Sequence, residues 1–234
     1  SESSDAGVER GCGMWGLGDT GVIRRKAKVR KEADVVEGVS VMHAVRAMER
    51  ADVVVLLCDA HEGVAEQDAK ILGLAVDRGR AIVLGLNKTD LLDKCELVKL
   101  EADTRDKFSF APWAPVCFLS AKSGRGVDKL LSTIDVVGDS FSKRVTTGAL
   151  NRFFEQVLQT HPPPTSHGRA PRLFYITQAE TKPPTFVVQC NHPEKIHFSY
   201  RRYVQNQIRK TFDFQGVPVM VFYKARRRRQ PGDG

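Results

Sequence analysis

Three short, continuously apolar runs constrain the fold of this 234-residue chain more than any other feature. They span residues 53–57, 81–86 and 115–118, and stretches with helical spacing of apolar residues lie between and after them. A strand that is apolar on both faces is typical of a parallel sheet buried between helices. The alternation of such strands with helices therefore predicts an α/β domain with a parallel sheet and flanking helices.

The second apolar run ends in the tetrapeptide Asn87-Lys88-Thr89-Asp90. Ligands of parallel sheets bind outside the carboxyl ends of the strands, which is where this tetrapeptide falls. The aspartate can accept two hydrogen bonds from the N1–H and N2–H2 edge of guanine. Adenine has no such pair of donors and would leave the carboxylate unpaired, at a cost on the order of a few kcal/mol. The tetrapeptide therefore predicts recognition of guanine, with the asparagine at the base edge and the lysine stem over the ring.

A second segment of the same kind, Ser120-Ala121-Lys122, follows the third apolar run. Serine, alanine and lysine after a strand are typical of a second guanine clamp, in which the backbone N–H of the alanine meets the base oxygen. Its order and its distance from the first tetrapeptide favour one shared site. The alternative for each segment is an ordinary turn from a strand into a loop.

An upstream segment, Asp-Thr-Gly-Val-Ile-Arg-Arg-Lys at residues 19–26, resembles the Asp-Thr-Ala-Gly-Ile-Arg-Arg-Lys stretch of a GTPase switch. The resemblance implies contacts to the phosphates of GTP or GDP, with the aspartate holding Mg2+ through water and a glycine amide meeting the γ-phosphate. The candidate residues are Asp19, Thr20, Gly21, Val22 and Ile23.

Charge is distributed unevenly along the chain. Residues 1–146 carry 22 Lys and Arg against 23 Asp and Glu, whereas residues 147–234 carry 14 against 5. A nearly neutral first part and a strongly basic second part predict a nucleotide-handling domain followed by a domain that meets a polyanion.

The order of predicted elements changes after residue 146. The pattern predicts a helix that begins at a Thr147 N-cap, then two strands, a basic amphipathic helix over 198–212 and a last strand over 217–223. This order predicts a small α+β domain with a three-stranded sheet. We expect salt-sensitive contacts with the backbone of structured RNA. The alternative is a solvated helix face with a disordered basic tail. The candidate contacts are Arg201, Arg202, Arg209, Lys210, Arg226, Arg227, Arg228 and Arg229.

The cysteine count and the hydropathy indicate a compartment. Five widely spaced cysteines without a Cys-x-x-Cys pair favour buried, reduced thiols over disulfides or a metal site. No apolar run approaches the length of a membrane span, and residue 1 is not followed by a signal-peptide pattern. We expect a cytoplasmic monomer with no membrane or DNA partner.

Several longer segments resemble the Der (EngA) family of GTPases. Residues 49–54, 62–68 and 87–90 are similar to the second GTPase domain of that family. Residues 147–152, with Thr-Gly-Ala-Leu-Asn-Arg, and 198–203, with Phe-Ser-Tyr-Arg-Arg-Tyr, are similar to its C-terminal KH-like domain. The resemblance implies a P-loop-GTPase-like parallel sheet, GTP and Mg2+ as cofactors, and a role in assembling the large ribosomal subunit on ribosomal RNA.

The chain departs from the family pattern in three ways. The upstream GTPase domain is absent, no Gly-x-x-x-x-Gly-Lys-Ser/Thr phosphate loop occurs, and Asp-Thr-Gly-Val stands where the family has Asp-Thr-Ala-Gly. We therefore expect this chain as written to bind guanine nucleotides weakly and not to hydrolyse GTP at a useful rate. The alternative function is a non-hydrolysing RNA-binding or interaction module that keeps the GTPase fold as a scaffold.

The patterns together predict four segments. Residues 1–18 are expected to be irregular or a remnant, 19–146 to form the GTPase domain, 147–229 the KH-like domain with its basic tail, and 230–234 a short tail.

Overall fold

A computed structural model of the chain describes residues 5–10, 13–18, 46–164 and 171–226, the first two ranges by their backbone alone. Contacts between residues divide the chain into two compact units, Ser1–Ala51 and Asp52–Gly234. The units are described separately below.

The first unit contains an antiparallel pair of strands, β1 (Asp5–Arg10) and β2 (Gly13–Gly18). The expectation that residues 1–18 are irregular is therefore wrong for these two strands. Strands pair through backbone N–H and C=O groups, which every segment carries whatever its side chains. A segment without hydrophobic periodicity can therefore pair although its sequence pattern does not indicate strands. Residues 46–50 are helical.

The second unit begins with a parallel sheet in the order β3 (Val53–Asp59), β4 (Ala81–Asn87), β5 (Val116–Phe118). The central strand is buried along residues 81–86, as its continuous apolar sequence predicts. The predicted parallel sheet is confirmed.

Three helices flank this sheet: α1 (Glu66–Asp77), α2 (Lys94–Lys107) and α3 (Val127–Ser142). The start of α2 is fixed by a capping box, in which Asp93 and Glu96 each accept a hydrogen bond of 2.8 Å from the other's backbone N–H. The apolar stripe of α3 is buried, as its helical spacing predicts; it comprises Leu130, Ile134, Val137 and Phe141.

The second sheet has the order β6 (Leu173–Glu180), β7 (Thr185–Cys190), β8 (Met220–Ala225). The first two strands are antiparallel and the last pair is parallel. Two helices accompany it, α4 (Thr147–Thr160) and α5 (Phe198–Thr211). The three-stranded α+β arrangement is confirmed, although the last strand begins at residue 220 rather than at 217.

The helices of this second sheet bury one apolar face each. Their buried side chains are Leu150, Phe153, Phe154 and Val157 on α4 and Tyr200, Val204 and Ile208 on α5. The N-cap of α4 is Thr146, whose hydroxyl accepts a hydrogen bond of 3.4 Å from the Ala149 N–H, one residue before the predicted cap.

Backbone hydrogen bonds join the two sheets within the unit Asp52–Gly234. The N–H of Ile82 on β4 donates to the carbonyl oxygen of Gly216 at 2.7 Å, and the Gly216 N–H donates to the carbonyl oxygen of Trp113 at 3.1 Å. At the start of β3, Asp52 pairs with Lys182 at 2.6 Å. The loop before β8 is therefore anchored to the central strand of the first sheet.

The predicted boundary at residues 146 and 147 lies between α3 and α4, inside this unit. The assignment of 19–146, 147–229 and 230–234 to separate segments stays a prediction. Within the described part of the chain, no helix is long and apolar enough to cross a membrane.

The anchor at Gly216 gives a prediction about stability. This glycine has φ +70°, and a Cβ added to it would lie 2.3 Å from Cγ2 of the buried Val137. Because the position is both left-handed and overpacked, we expect Gly216→Ala to lower the free energy of unfolding by about 2–5 kcal/mol. Urea denaturation followed by circular dichroism measures it.

The matched control is Gly73→Ala in α1, where no atom lies within 4 Å of the added Cβ. Alanine there raises helix propensity, so we expect a gain of up to about 1 kcal/mol. Equal effects of the two substitutions would contradict the packing at Gly216.

Candidate nucleotide-binding site

The predicted site residues of the first sheet meet at one edge. Asp59 ends β3 directly opposite Asn87, which ends β4, and β5 ends at Phe118, two residues before Ser120. Because parallel strands end at the same edge, the two loops after β4 and β5 become neighbours. The structure thus brings the tetrapeptide and the serine-alanine-lysine segment together, as the sequence predicts.

The side chain of Asn87 links the two loops. Its Oδ1 accepts hydrogen bonds from the Lys88 N–H at 2.8 Å and from the Ala121 N–H at 2.9 Å. The sequence interpretation assigned the Ala121 N–H to the base oxygen of a nucleotide, whereas here it is bonded to the asparagine. The asparagine therefore holds the second loop in place through its carbonyl oxygen, which leaves its side-chain NH2 as the group available to a base.

Thr89 makes a second link between the same loops. This residue is 8% exposed, and its hydroxyl donates to the Leu119 carbonyl oxygen at 2.9 Å while its N–H donates to the same oxygen at 3.2 Å. The sequence analysis includes Thr89 in the tetrapeptide that is predicted to bind the nucleotide, without a separate role for its hydroxyl. The structure shows that a buried hydroxyl here satisfies a carbonyl at the end of β5.

Lys88 lies between the two strand ends and is held by an ion pair. Its φ of 68° is left-handed, and its Nζ lies 2.5 Å from Oδ2 of Asp59. The other oxygen of Asp59 accepts hydrogen bonds from the N–H groups of His61 at 2.9 Å and Glu62 at 3.4 Å. Asp59 therefore caps this turn. The ion pair with Lys88 was missed, because spacing along the chain does not show which strand ends are neighbours.

This ion pair favours the charged form of both partners, because the pKa of Asp59 is lowered and the pKa of Lys88 is raised. Desolvation raises the pKa of Asp59, but the hydrogen bond from Lys88 and the two turn amides outweigh it and lower the pKa overall. The hydrogen bond to Asp59 raises the pKa of Lys88. Both groups are therefore charged across the physiological range, and the lysine stem is directed along the edge of the sheet.

Asp90 presents an ionised carboxylate at this edge. Its side chain is exposed, and a hydrogen bond with the buried Ser120 lowers its pKa, with a further lowering from the charge of Lys122. Since its pKa lies below the ordinary value of about 3.9, the carboxylate stays charged at any pH above about 5. An exposed, ionised carboxylate that a serine of the neighbouring loop orients is suited to accepting two hydrogen bonds from the edge of guanine.

The predicted phosphate and Mg2+ residues cannot be placed in this site. Asp19, Thr20, Gly21, Val22 and Ile23 lie outside the described residues. Within the described ranges, no cluster of three or more His, Cys, Asp or Glu side chains could hold a metal ion. The described residues of this site therefore offer groups for a base.

The predicted basic residues that the structure describes differ in what they contact. Arg201 donates to the carbonyl oxygens of Ile196 at 3.0 Å and Pro193 at 2.5 Å, and its guanidinium lies 4.9 Å from the Tyr223 ring centre. It therefore stabilises the turn before α5. Arg202 and Lys210 are exposed on α5.

Two further predicted arginines lie over aromatic rings. Arg209 is 5.3 Å from the ring centre of Trp113 and donates to the Val217 carbonyl oxygen at 3.2 Å, and burial lowers its pKa to about 10, so it remains charged at neutral pH. Arg226 lies 5.5 Å from the Phe174 ring centre. Arg227, Arg228 and Arg229 lie outside the described residues.

The fold and the site define a class: a GTPase-like α/β domain with a guanine-type base edge, followed by a small KH-like α+β domain. Comparisons with known proteins agree with it. The profile of the elongation factor Tu GTP-binding domain matches residues 41–139. The profile described as the C-terminal KH-domain-like region of EngA bacterial GTPase enzymes matches residues 144–224.

Curated relatives extend the match over most of the chain. The GTPase Der of Caldanaerobacter subterraneus subsp. tengcongensis is 43% identical over 210 residues, which cover 89% of this chain and 47% of that protein. The GTPase Der of Moorella thermoacetica is 41% identical over 230 residues, covering 97% and 52%. This chain belongs to the Der (EngA) family. It spans about half the length of the curated relatives it matches.

Solved structures are similar to the chain only at low levels. Era of Aquifex aeolicus bound to GDP and AlF4− is 16% identical with a TM-score of 0.41, over 85% of this chain and 73% of that chain. The family assignment rests on the curated relatives and the profiles.

The ion pair at the strand ends gives a prediction about nucleotide affinity. Asp59→Asn removes the charge that holds Lys88, and an exposed pair of this kind contributes up to about 1 kcal/mol, so we expect affinity for GDP to fall about two- to fivefold. Titration of a fluorescent GDP measures the change.

The control is Asp52→Asn, which breaks another exposed pair, that with Lys182, at the opposite end of β3. GDP affinity should be unchanged in this variant. Equal losses in the two variants would show that Asp59 acts on stability rather than on Lys88.

Proposed function

We propose that the chain is the nucleotide-binding and RNA-contacting part of a ribosome-assembly GTPase. It would bind GTP and GDP through the loops after β4 and β5 and contact ribosomal RNA through the KH-like domain. The observation that carries the proposal is the exposed, ionised carboxylate of Asp90, oriented by Ser120 beside the Asn87–Ala121 link. The relatives named GTPase Der support the same class of activity.

Each residue of the base site then has a role. Asp90 accepts hydrogen bonds from the N1–H and N2–H2 edge of guanine, and Asn87 offers its side-chain NH2 to the base while its oxygen holds Ala121. The stem of Lys88, directed by Asp59, covers one face of the ring. Adenine would leave the Asp90 carboxylate without donors, so the site discriminates by an unmet hydrogen-bond requirement.

Asp19 and the segment to Ile23 would supply the phosphate contacts and the Mg2+ ligand. The charged side chains and the metal of a GTPase site act by positioning and neutralising the phosphates rather than by covalent chemistry. The expected absence of useful GTP hydrolysis by this chain as written stays a prediction, which a turnover assay on the 234 residues tests.

The two parts of the proposed function share one strand. β4 ends in the base-binding tetrapeptide, and the N–H of its second residue, Ile82, is bonded to Gly216 before β8. In this proposal, a GTP/GDP switch of the segment from Asp19 to about Glu37 alters how the basic domain meets RNA of the large ribosomal subunit. We place this activity in the cytoplasm and in a monomer.

Base specificity gives the central test of this proposal. We expect Asp90→Asn to reduce affinity for GDP by at least about tenfold and to raise affinity for xanthosine diphosphate, whose altered edge complements an amide. Isothermal titration of both nucleotides with both proteins, with and without Mg2+, measures the exchange of specificity.

Asp135→Asn is the matched control, because it neutralises another exposed carboxylate, on α3, outside the site. Its specificity should remain for guanine. If Asp90→Asn left GDP affinity unchanged, guanine recognition by this edge would be wrong.

RNA contact by α5 gives a prediction about salt dependence. Arg202→Gln and Lys210→Gln should each weaken binding to a structured fragment of large-subunit ribosomal RNA and reduce the slope of log K against log salt by about one. Lys129→Gln, an exposed lysine of α3, should change neither quantity. An unaltered slope in both α5 variants would exclude phosphate contact by this helix.

A further inference from the structure

A groove lies within the unit Asp52–Gly234. It has a volume of about 470 Å³, is open to solvent, and is lined by α5 and by the segment after α2. Residues before and at the start of β8 complete it. The side chains that matter to its chemistry are Phe110, Trp113, Phe198, Arg201, Arg202 and Arg209.

Aromatic rings line both sides of the groove. Phe110 and Trp113 come from the GTPase-like domain, and Phe198 begins α5. Phe110 is 46% exposed and Phe198 is 69% exposed, although rings of this size are usually buried. Exposed rings that line a concave surface are suited to stacking against planar groups.

The charge of the groove is positive. Arg209 is held against the Trp113 ring and donates one hydrogen bond to the Val217 carbonyl oxygen, while its Nε is buried without a hydrogen-bond partner among the described residues. Arg202 is exposed on the same helix, about two turns nearer to Phe198. No aspartate or glutamate is among the described residues that line the groove, and none of its three arginines forms an ion pair with a carboxylate in the described part.

We propose that this groove binds one or two unpaired nucleotides of a single-stranded RNA segment. The bases stack on Phe198 and Phe110, and the phosphates meet Arg202 and Arg209. The proposal rests on the proposed contact with RNA and adds to it a site for unpaired bases. It also assigns a task to Phe110 and Trp113, which lie in the GTPase-like domain and which the sequence patterns did not single out.

The shape and chemistry favour a single strand over other occupants. A groove of about 470 Å³ is the size of a small-molecule site, which admits one or two nucleotides but not a helical duplex. Stacking on aromatic side chains is how proteins hold unpaired bases, and it needs no particular sequence. An acidic peptide would use the arginines but would leave the faces of Phe198 and Phe110 without partners.

The test uses the full chain and the fluorescence of Trp113. The chain has two tryptophans, so Trp15→Phe leaves Trp113 as the sole reporter. Titration with a ten-residue oligouridylate at low salt should quench this fluorescence. Because one stacked base contributes a factor of about ten in affinity, Phe198→Ala should weaken binding about tenfold, and Phe198→Tyr, which keeps the ring, should retain it.

The matched control is Phe222→Ala. Phe222 is 53% exposed on β8 but does not line the groove. Equal affinities of the Phe198→Ala and Phe222→Ala variants for the oligouridylate would overturn the proposal. Binding of an oligoglutamate, or of an abasic oligonucleotide, as tightly as the oligouridylate would overturn it too, since charge alone would then explain the binding.

A structured ribosomal RNA fragment separates this proposal from the function on which it rests. If the unaltered chain binds neither the fragment nor the oligouridylate, the proposed RNA contact itself fails. If it binds the fragment while Phe198→Ala leaves oligouridylate binding unchanged, only the groove is wrong. The proposal predicts a third result, in which Phe198→Ala weakens binding of the oligouridylate and leaves binding of a fully paired duplex unchanged.

Discussion

The side-chain oxygen of Asn87 holds the base site together. It accepts one hydrogen bond from its own loop and one from Ala121 in the loop after β5, and Thr89 adds a buried link to Leu119. Each bond contributes only about 1 kcal/mol, but together they fix the distance between two loops that are about thirty residues apart. The position of Asp90 relative to Ser120, and so the orientation of the carboxylate that we propose accepts hydrogen bonds from the base, depends on that distance.

The central strand β4 contacts both the proposed base site and the loop that precedes β8. Its carboxyl end carries the base site, and near its amino end Ile82 is bonded to Gly216, in the loop that precedes β8. The Gly216 N–H in turn reaches the carbonyl of Trp113, whose ring lies under Arg209. The wall of the basic groove is thus built on the same strand as the nucleotide edge. This gives a short physical route between the two, through backbone hydrogen bonds rather than through a flexible linker.

Much of this was predictable, for reasons that particular residues show. Continuous apolar runs identify β3 and β4 because both faces of a parallel strand are buried, and the tetrapeptide at residues 87–90 marks the edge at which they end. The ion pair of Asp59 with Lys88 was not predictable, because it joins strand ends that are neighbours only in the folded sheet. The strands β1 and β2 were missed because backbone pairing leaves no hydrophobic period in the sequence. The groove was missed because its two walls come from separate domains.

Binding of a nucleoside without phosphates tests most directly whether the base edge is already formed by the described residues. The backbone N–H signals of Ala121 and Asp90 can be followed by nuclear magnetic resonance while guanosine or adenosine is added. If Asp90 recognises guanine, both signals will show saturable shifts with guanosine and none with adenosine, because only guanine supplies the pair of donors whose hydrogen bonds Asp90 accepts. Equal shifts with both nucleosides, or shifts with neither at millimolar concentration, would contradict it.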